Sequence, residues 1–401
     1  MVFRRSTRRL FRSGAVACLA SALLTLVGEI GAARAENSPS AFVSACAQGA
    51  PPSALAEPGR TVDPLVKGGN AIEVDRDKQV FSHVNWAMNL LRTRNYNRAL
   101  EEFEQAIKLD PRSSVALFGR AQVYLHTQKY DLAIKDADLA IELFPANAAA
   151  YLVRGVAYAR KQDYERAIES LDQAIKLDPF CSVGFLHRAD AYGGKSDYAR
   201  AVADFDRAIE LSPRSANVVN ILTGRGLNYA FKGDYGRAIA DFDRAIELNS
   251  TSANVVGILA GRGLTYAYKG EHEKAMRDLN EALTLDSRSA MALYYRCDVR
   301  AIVGALDEAL ADCQESLRIR PDVVPALDSR GLVYLKKGAL DEAIADYDAA
   351  LRIHSKHPYS LFGRGVARRM KGDVAGSEAD IAAAKAIHPG ISDHLARYGI
   401  K

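Results

Sequence analysis

Cysteine is scarce in this sequence of 401 residues: five in all, too few for the disulfide framework on which small secreted scaffolds depend. Proline and glycine number only 13 and 29, which excludes collagen-like and low-complexity chains. Long apolar runs are missing as well. None reaches the roughly 18–20 residues that cross a bilayer, so an integral membrane protein is not expected. Nor does one charge dominate, with 53 Lys and Arg against 49 Asp and Glu and a formal net charge of +4. What is present is ordinary for a folded protein: 48% hydrophobic and 25% charged residues argue against wholesale disorder. The length suits two or three ordinary domains or one elongated repeat array.

The positive excess sits at the start of the chain. Arg4, Arg5, Arg8, Arg9 and Arg12 precede an uncharged, mostly apolar stretch from Ala15 to Val27, and Ala33-Arg34-Ala35 places small residues where a signal peptidase reads. Residues 1–35 are therefore expected to be a secretory signal cleaved after Ala35. An uncleaved anchor fits less well, because the apolar run is short and Glu29 interrupts its continuation. Thr7-Arg8-Arg9-Leu10-Phe11 resembles a twin-arginine export pattern, which leaves the general secretory route and the twin-arginine route both open. Cys18 has too little apolar chain before it for a lipoprotein signal. Beyond residue 35, basic residues number 47 and acidic ones 48, because the first 35 hold six Arg and one Glu. The bulk argument for a nucleic-acid or other polyanionic partner thereby disappears. Residues 36–79, punctuated by Pro39, Pro51, Pro52, Pro58 and Pro64, show no sustained period and read as a flexible lead-in.

From Val80 the chain repeats itself. Ala99, Ala133, Ala167 and Ala201 lie 34 residues apart; Ala238 and Ala275 follow at steps of 37, and Ala309, Ala343 and Ser377 return to 34. A small residue stands twelve positions before each, as in Ala87, Ala121 and Gly155, and another seven after, as in Ala106, Ala140 and Ala174. Small residues at fixed spacing on two helical segments are what close helix–helix contact requires. A turn such as Lys232-Gly233-Asp234-Tyr235 separates the segments, with Gly suited to the left-handed conformation that ends a helix. The two longer steps contain Ala216-Asn217-Val218-Val219 and Ala253-Asn254-Val255-Val256, and their three extra residues, nearly one helical turn, extend the first helix or record a tandem duplication.

The pattern resembles the tetratricopeptide repeat, whose period is 34 residues. Nine units span 80–113, 114–147, 148–181, 182–215, 219–252, 256–289, 290–323, 324–357 and 358–391, with 392–401 as a final cap. The resemblance implies an all-α, right-handed superhelical solenoid of helical hairpins, with the first helices lining a concave groove. The first unit is loose at its start, and the ninth has Arg368 where the others mostly have Tyr.

Eight units carry Arg before the small residue of the first helix, and seven carry Asp at one position of the second. This predicts a structural ladder, with Arg225 against Asp241, Arg262 against Asp278 and Arg330 against Asp346. The competing reading, a cationic stripe for a polyanion, is opposed by the Asp in register. Carrying the family's concave positions onto this sequence assigns to the groove Phe81, Val84, Met88, Leu91, Phe118, Gln122, Leu125, Leu152, Val156, Arg160, Asp190, Phe231, Tyr268, Tyr294, Asp298, Asp328, Tyr359 and Phe362. Such a lining, mainly apolar and aromatic, favours an amphipathic helix or an extended peptide with apolar anchors. The Lys/Asn clamp that some members use for C-terminal carboxylates is not reproduced, and any one of these positions could equally be inter-repeat core.

No phosphate loop, nucleophile elbow or zinc-protease motif occurs. His354 and His357 have metal-like spacing without companion ligands and read as surface histidines. No catalytic residue, cofactor or metal is therefore expected. Cys297 and Cys313 fall on the two helices of one unit at positions that face each other in such a fold, either as a disulfide or as two buried thiols. Together these features suggest a non-catalytic scaffold or adaptor, exported to a bacterial periplasm, with protein or peptide partners. The alternative is a regulatory subunit dedicated to one envelope enzyme, such as a peptidoglycan hydrolase or a glycan-polymer synthesis or secretion complex.

Overall fold

Repeated small residues on segments of high helical propensity build the architecture. The structure, a computed structural model, describes residues 71–213, 217–248 and 252–396. The expected export signal lies outside the described residues, as does nearly all of the expected lead-in. Among the described residues every regular element is a helix, arranged as nine antiparallel pairs and a short terminal turn. The pairs are α1 (Ala71–Arg92) with α2 (Tyr96–Leu109), α3 (Ser114–His126) with α4 (Tyr130–Leu143), α5 (Ala148–Arg160) with α6 (Tyr164–Leu177), and α7 (Ser182–Gly194) with α8 (Tyr198–Leu211). They continue as α9 (Val218–Phe231) with α10 (Tyr235–Leu248), α11 (Ser252–Lys269) with α12 (His272–Leu285), and α13 (Ala290–Val303) with α14 (Leu306–Ile319). The last pairs are α15 (Val324–Lys337) with α16 (Leu340–Ile353) and α17 (Pro358–Met370) with α18 (Val374–Ile387), followed by α19 (Ile391–Ala396). They fall into two compact units, one ending at Val218 and one running from Val219.

Eight of the nine hairpins close on alanine, and the ninth on the buried Ser377. Ala99, Ala133, Ala167, Ala201, Ala238, Ala275, Ala309 and Ala343 are all fully buried, because two backbones approach too closely there for a longer side chain. A second close approach escapes the sequence pattern. A Cβ built on Gly119 of α3 would stand 2.2 Å from the Phe103 ring of α2, so this glycine seats the aromatic of the preceding hairpin. Helix ends are fixed by side-chain caps. Ser113, Asn147 and Ser289 accept backbone N–H bonds at the starts of first helices, and Asp163, Asp197 and Asp373 do so for second helices. The turn inside every hairpin places one residue in the left-handed region. Gly233, Gly270, Gly304, Gly338 and Gly372 take it in the later hairpins; Arg94, Gln128, Gln162 and Ser196 take it in the first four, at φ near 60°.

Three boundaries differ from the expected ones. Helix α1 begins at Ala71, nine residues before the expected first repeat, and Gln79 donates to Asp75 along it (3.0 Å). No Pro or Gly within Ala71–Lys78 stops the helix from growing outward from its packed half. The two longer repeats also part company. Helix α11 has 18 residues and gains about a turn at its start, whereas α9 has 14 and begins only at Val218. At the far end α19 has six described residues, and Ile391 at its start is fully buried beside Tyr359 and Phe362.

Within each unit, first helices pack against the first helix of the next hairpin: α1 on α3, α3 on α5 and α5 on α7, then α11 on α13, α13 on α15 and α15 on α17. Second helices instead pack on the following first helix and scarcely meet one another. A stack in which one layer is closer together than the other bends toward the closer layer, so the first helices form the inner side of each unit.

Candidate binding face

A chain of charge-assisted hydrogen bonds holds the hairpins in register. Arg225 grips Asp241 through Nε and Nη2 (2.8 and 2.7 Å), Arg262 grips Asp278 (2.7 and 2.9 Å) and Arg330 grips Asp346 (2.8 and 2.7 Å). Arg120–Asp136, Arg188–Asp204, Arg296–Asp312 and Arg364–Asp380 repeat the fork. The carboxylates are buried, and the fork to Asp380 holds the Arg364 guanidinium above its ordinary pKa. In the third hairpin Ser170 replaces Asp, taking one bond from Arg154 Nε (3.1 Å). The free Nη1 of several arginines also reaches back to the preceding hairpin. Arg154 bonds Asp138 (2.8 Å), Arg188 bonds Asp172 (2.6 Å), Arg262 bonds Asp243 (2.6 Å), Arg296 bonds Asn280 (2.8 Å) and Arg364 bonds Asp348 (2.6 Å). The ladder is thus also a clamp between hairpins. A second series pairs Lys161 with Asp131, Lys195 with Glu165, Lys337 with Asp307 and Lys371 with Asp341 across neighbouring hairpins.

The residues assigned to a groove divide sharply by burial. Val84, Leu91, Phe118, Gln122, Leu152, Val156, Phe231, Tyr294, Tyr359 and Phe362 are all below a tenth exposed. They are corrected from groove to core: adjacent first helices pack so closely that these side chains fill the seam between hairpins. Leu152 and Val156 share a cluster with Leu171 and Val183, and Tyr359 and Phe362 share one with Leu332 and Leu361. Accessible surface remains at Phe81 (68% exposed) and, partially, at Met88, Leu125, Arg160, Asp190, Tyr268, Asp298 and Asp328. The inner face is therefore mixed, with apolar edges and interspersed charge, and less apolar than the sequence implies.

Two further groups behave differently from their sequence reading. His357 is not a surface residue but 2% exposed, and it caps α17 by accepting the Ser360 N–H at Nδ1 (3.3 Å). Burial pushes it down to about 3, so it stays neutral. Its neighbour His354 lies 5.8 Å away ring to ring, and no group of three or more metal-ligating side chains occurs among the described residues. Cys297 and Cys313 are joined as a disulfide between α13 and α14, with Cα atoms 5.6 Å apart. Cys181 is disulfide-bonded as well.

Comparison with known proteins agrees with this geometry. The tetratricopeptide repeat family model matches residues 84–147, 129–180, 186–253, 260–323 and 329–390, well over half of the chain. A tetratricopeptide repeat protein from Parabacteroides merdae superposes with a TM-score of 0.53 at 16% identity, covering 64% of this chain and 99% of its own. A chain of the APC/C hetero-tetramer Cut9–Hcn1 does so with a TM-score of 0.51 at 14% identity, covering 78% and 74%. At such identities the likeness is one of fold. No curated protein sequence matches the chain. Helical-hairpin arrays of this kind serve in general as surfaces for protein–protein contact and are typically non-catalytic.

Proposed function

Because this chain belongs to the tetratricopeptide repeat family, we propose that it is an exported, non-catalytic adaptor that holds peptide or helical segments of partner proteins on the inner face of its first helices. The observation that carries this is the division of labour in each hairpin. Arginine clamps and alanine contacts supply the repeated close packing and buried ion pairs, while Met88, Leu125, Arg160, Asp190, Tyr268, Asp298 and Asp328 on the first helices still present part of their surface to solvent. Export to an oxidising compartment is supported by the N-terminal pattern and by the Cys297–Cys313 bond, since such bonds persist outside the reducing cytosol.

Photo-crosslinking tests the face. A benzophenone side chain at Leu125 or Tyr268 should capture a partner in cells, whereas one at Lys135 or Glu281 on the second helices should not. Equal capture from both layers refutes the inner face as the site. One stoichiometric partner would mark a subunit dedicated to a single envelope enzyme; several would mark a general scaffold. Fractionation with N-terminal sequencing tests export, and the mature chain should begin at Glu36.

A further inference from the structure

One cysteine stands where a polar cap belongs. Ser113, Asn147, Ser289 and His357 each precede a first helix and accept one of its backbone N–H groups. Cys181 holds the same place before α7 and accepts none. A side chain that does not cap weakens the start of a helix, so the fold of α7 alone does not call for cysteine there. The sulfur is used otherwise: Cys181 is disulfide-bonded. It is 4% exposed and packs with Leu152, Val156 and Val183, with Tyr151 partly buried at the edge of the same cluster. Beside it in the chain, Phe180 is 73% exposed, a large apolar side chain left in water.

The other half of the bond follows by elimination. Of the five cysteines, Cys297 and Cys313 are joined to each other, and Cys18 falls within the export signal that is expected to be removed. Cys46 is left. It lies outside the described residues, in the uncharged run Ala41-Phe42-Val43-Ser44-Ala45-Cys46-Ala47, whose composition suits an apolar surface. Residues 47–70 separate it from Ala71, where α1 begins. A flexible chain of about 24 residues has a root-mean-square span of about 25–30 Å. From α1 to α7 there are three first-helix steps of about 8–10 Å, roughly 24–30 Å in all. Reach and distance agree.

We infer that Cys181 is bonded to Cys46, and that this bond straps the chain's own N-terminal segment, residues 36–60, onto the apolar surface beside Tyr151 and Phe180. This rests on the export proposed above, which provides the oxidising compartment. The two thiols lose two protons and two electrons as the bond forms. The electrons pass by thiol–disulfide exchange to the disulfide of a protein thiol oxidase, which is reduced to its dithiol. The loop so closed runs from residue 46 to residue 181 and encloses the first three hairpins, so the strap restrains the unfolded chain across all of them.

The test is peptide mapping of the full mature chain, with thiols blocked at lysis, digested by trypsin without reductant and read by mass spectrometry. Glu36–Arg60 should appear joined to Leu177–Arg188, and the two should separate on reduction. The unfolded, unreduced chain should show no free thiol, and C46S and C181S should each expose a single one. A benzophenone side chain at Phe180 should crosslink to Glu36–Arg60 of the same chain, and C46S should weaken that crosslink at least tenfold. Cys181 joined to Cys18 or to the Cys181 of a second copy, no Phe180 crosslink to Glu36–Arg60, or one undiminished in C46S overturns the strap. The peptides of Cys297 and Cys313 provide the control. If they are joined while Cys46 and Cys181 are free, the strap alone is refuted and export survives; if all four thiols are free, both are refuted.

Discussion

Loss of Arg262 tests the clamp most directly. Its guanidinium holds Asp278 with two bonds (2.7 and 2.9 Å) and Asp243 of the preceding hairpin with a third (2.6 Å). The Asp278 side chain is 5% exposed, so R262A leaves a buried carboxylate without its counterion. Breaking a buried pair costs about 3–5 kcal/mol. The arginine side chain is 19% exposed, so water replaces part of what is lost, and about 2–3 kcal/mol is expected. D278A leaves an arginine that still has Asp243 and solvent, and should cost about 1–2 kcal/mol. D243A removes only a carboxylate 49% exposed, worth under about 0.5 kcal/mol. The double variant R262A/D278A should then be little worse than R262A, with a coupling of about 1–2 kcal/mol. Urea unfolding followed by circular dichroism and fitted with nearest-neighbour coupling between repeats measures each term. Additivity of the two single losses within about 0.5 kcal/mol would refute the clamp. The third hairpin offers an internal control: S170D should restore the fork to Arg154 and raise stability.

Other consequences are open to measurement. Gln128 and Gln162 sit at φ of 60° and 62°, a conformation costing a non-glycine residue about 1 kcal/mol, so Q128G and Q162G should each raise the melting temperature and G338A should lower it; a fall on Q128G contradicts the turn geometry. Asp298 and Asp328 titrate near 7 when folded against 3.8 when free, so their contribution is favourable below about pH 4 and is lost as pH rises through 7. Buried His357, pushed down to about 3, acts in the opposite sense, losing stability as pH falls below its free value of 6.5. Relative to D298N/D328N, the parent should therefore gain about 1–3 kcal/mol between about pH 8 and pH 5, read from melting curves, and an equal response in both proteins negates it. The Cys297–Cys313 bond spans 16 residues, so reduction or C297A/C313A should cost about 2–3 kcal/mol; a melting temperature indifferent to reductant argues against the bond.

The period and the pairing of helices were legible because close packing admits only small residues, and alanine at steps of 34 or 37 records that contact directly. The Arg–Asp fork within a hairpin was legible for the same reason: both partners recur in register. Its second half is also written in the sequence. Asp136-x-Asp138, Asp204-x-Asp206, Asp241-x-Asp243 and Asp346-x-Asp348 carry a second acid two residues on, and several of these second acids serve the next hairpin. Its purpose depends on how hairpins stack, which no local spacing reports.

The sequence by itself determined the helical hairpin, its number and its internal contacts, since these follow from side-chain size and charge repeated at fixed separation. Only the tertiary structure decided which side chains of the first helices are surface and which are seam. Gln122 and Tyr294 look like groove residues by position yet are buried, while Asp298 and Asp328 stay within reach of solvent but lack a counterion. Burial at those positions is set by the distance and rotation between successive hairpins. That is a property of the stack as a whole, and a repeat read singly does not contain it.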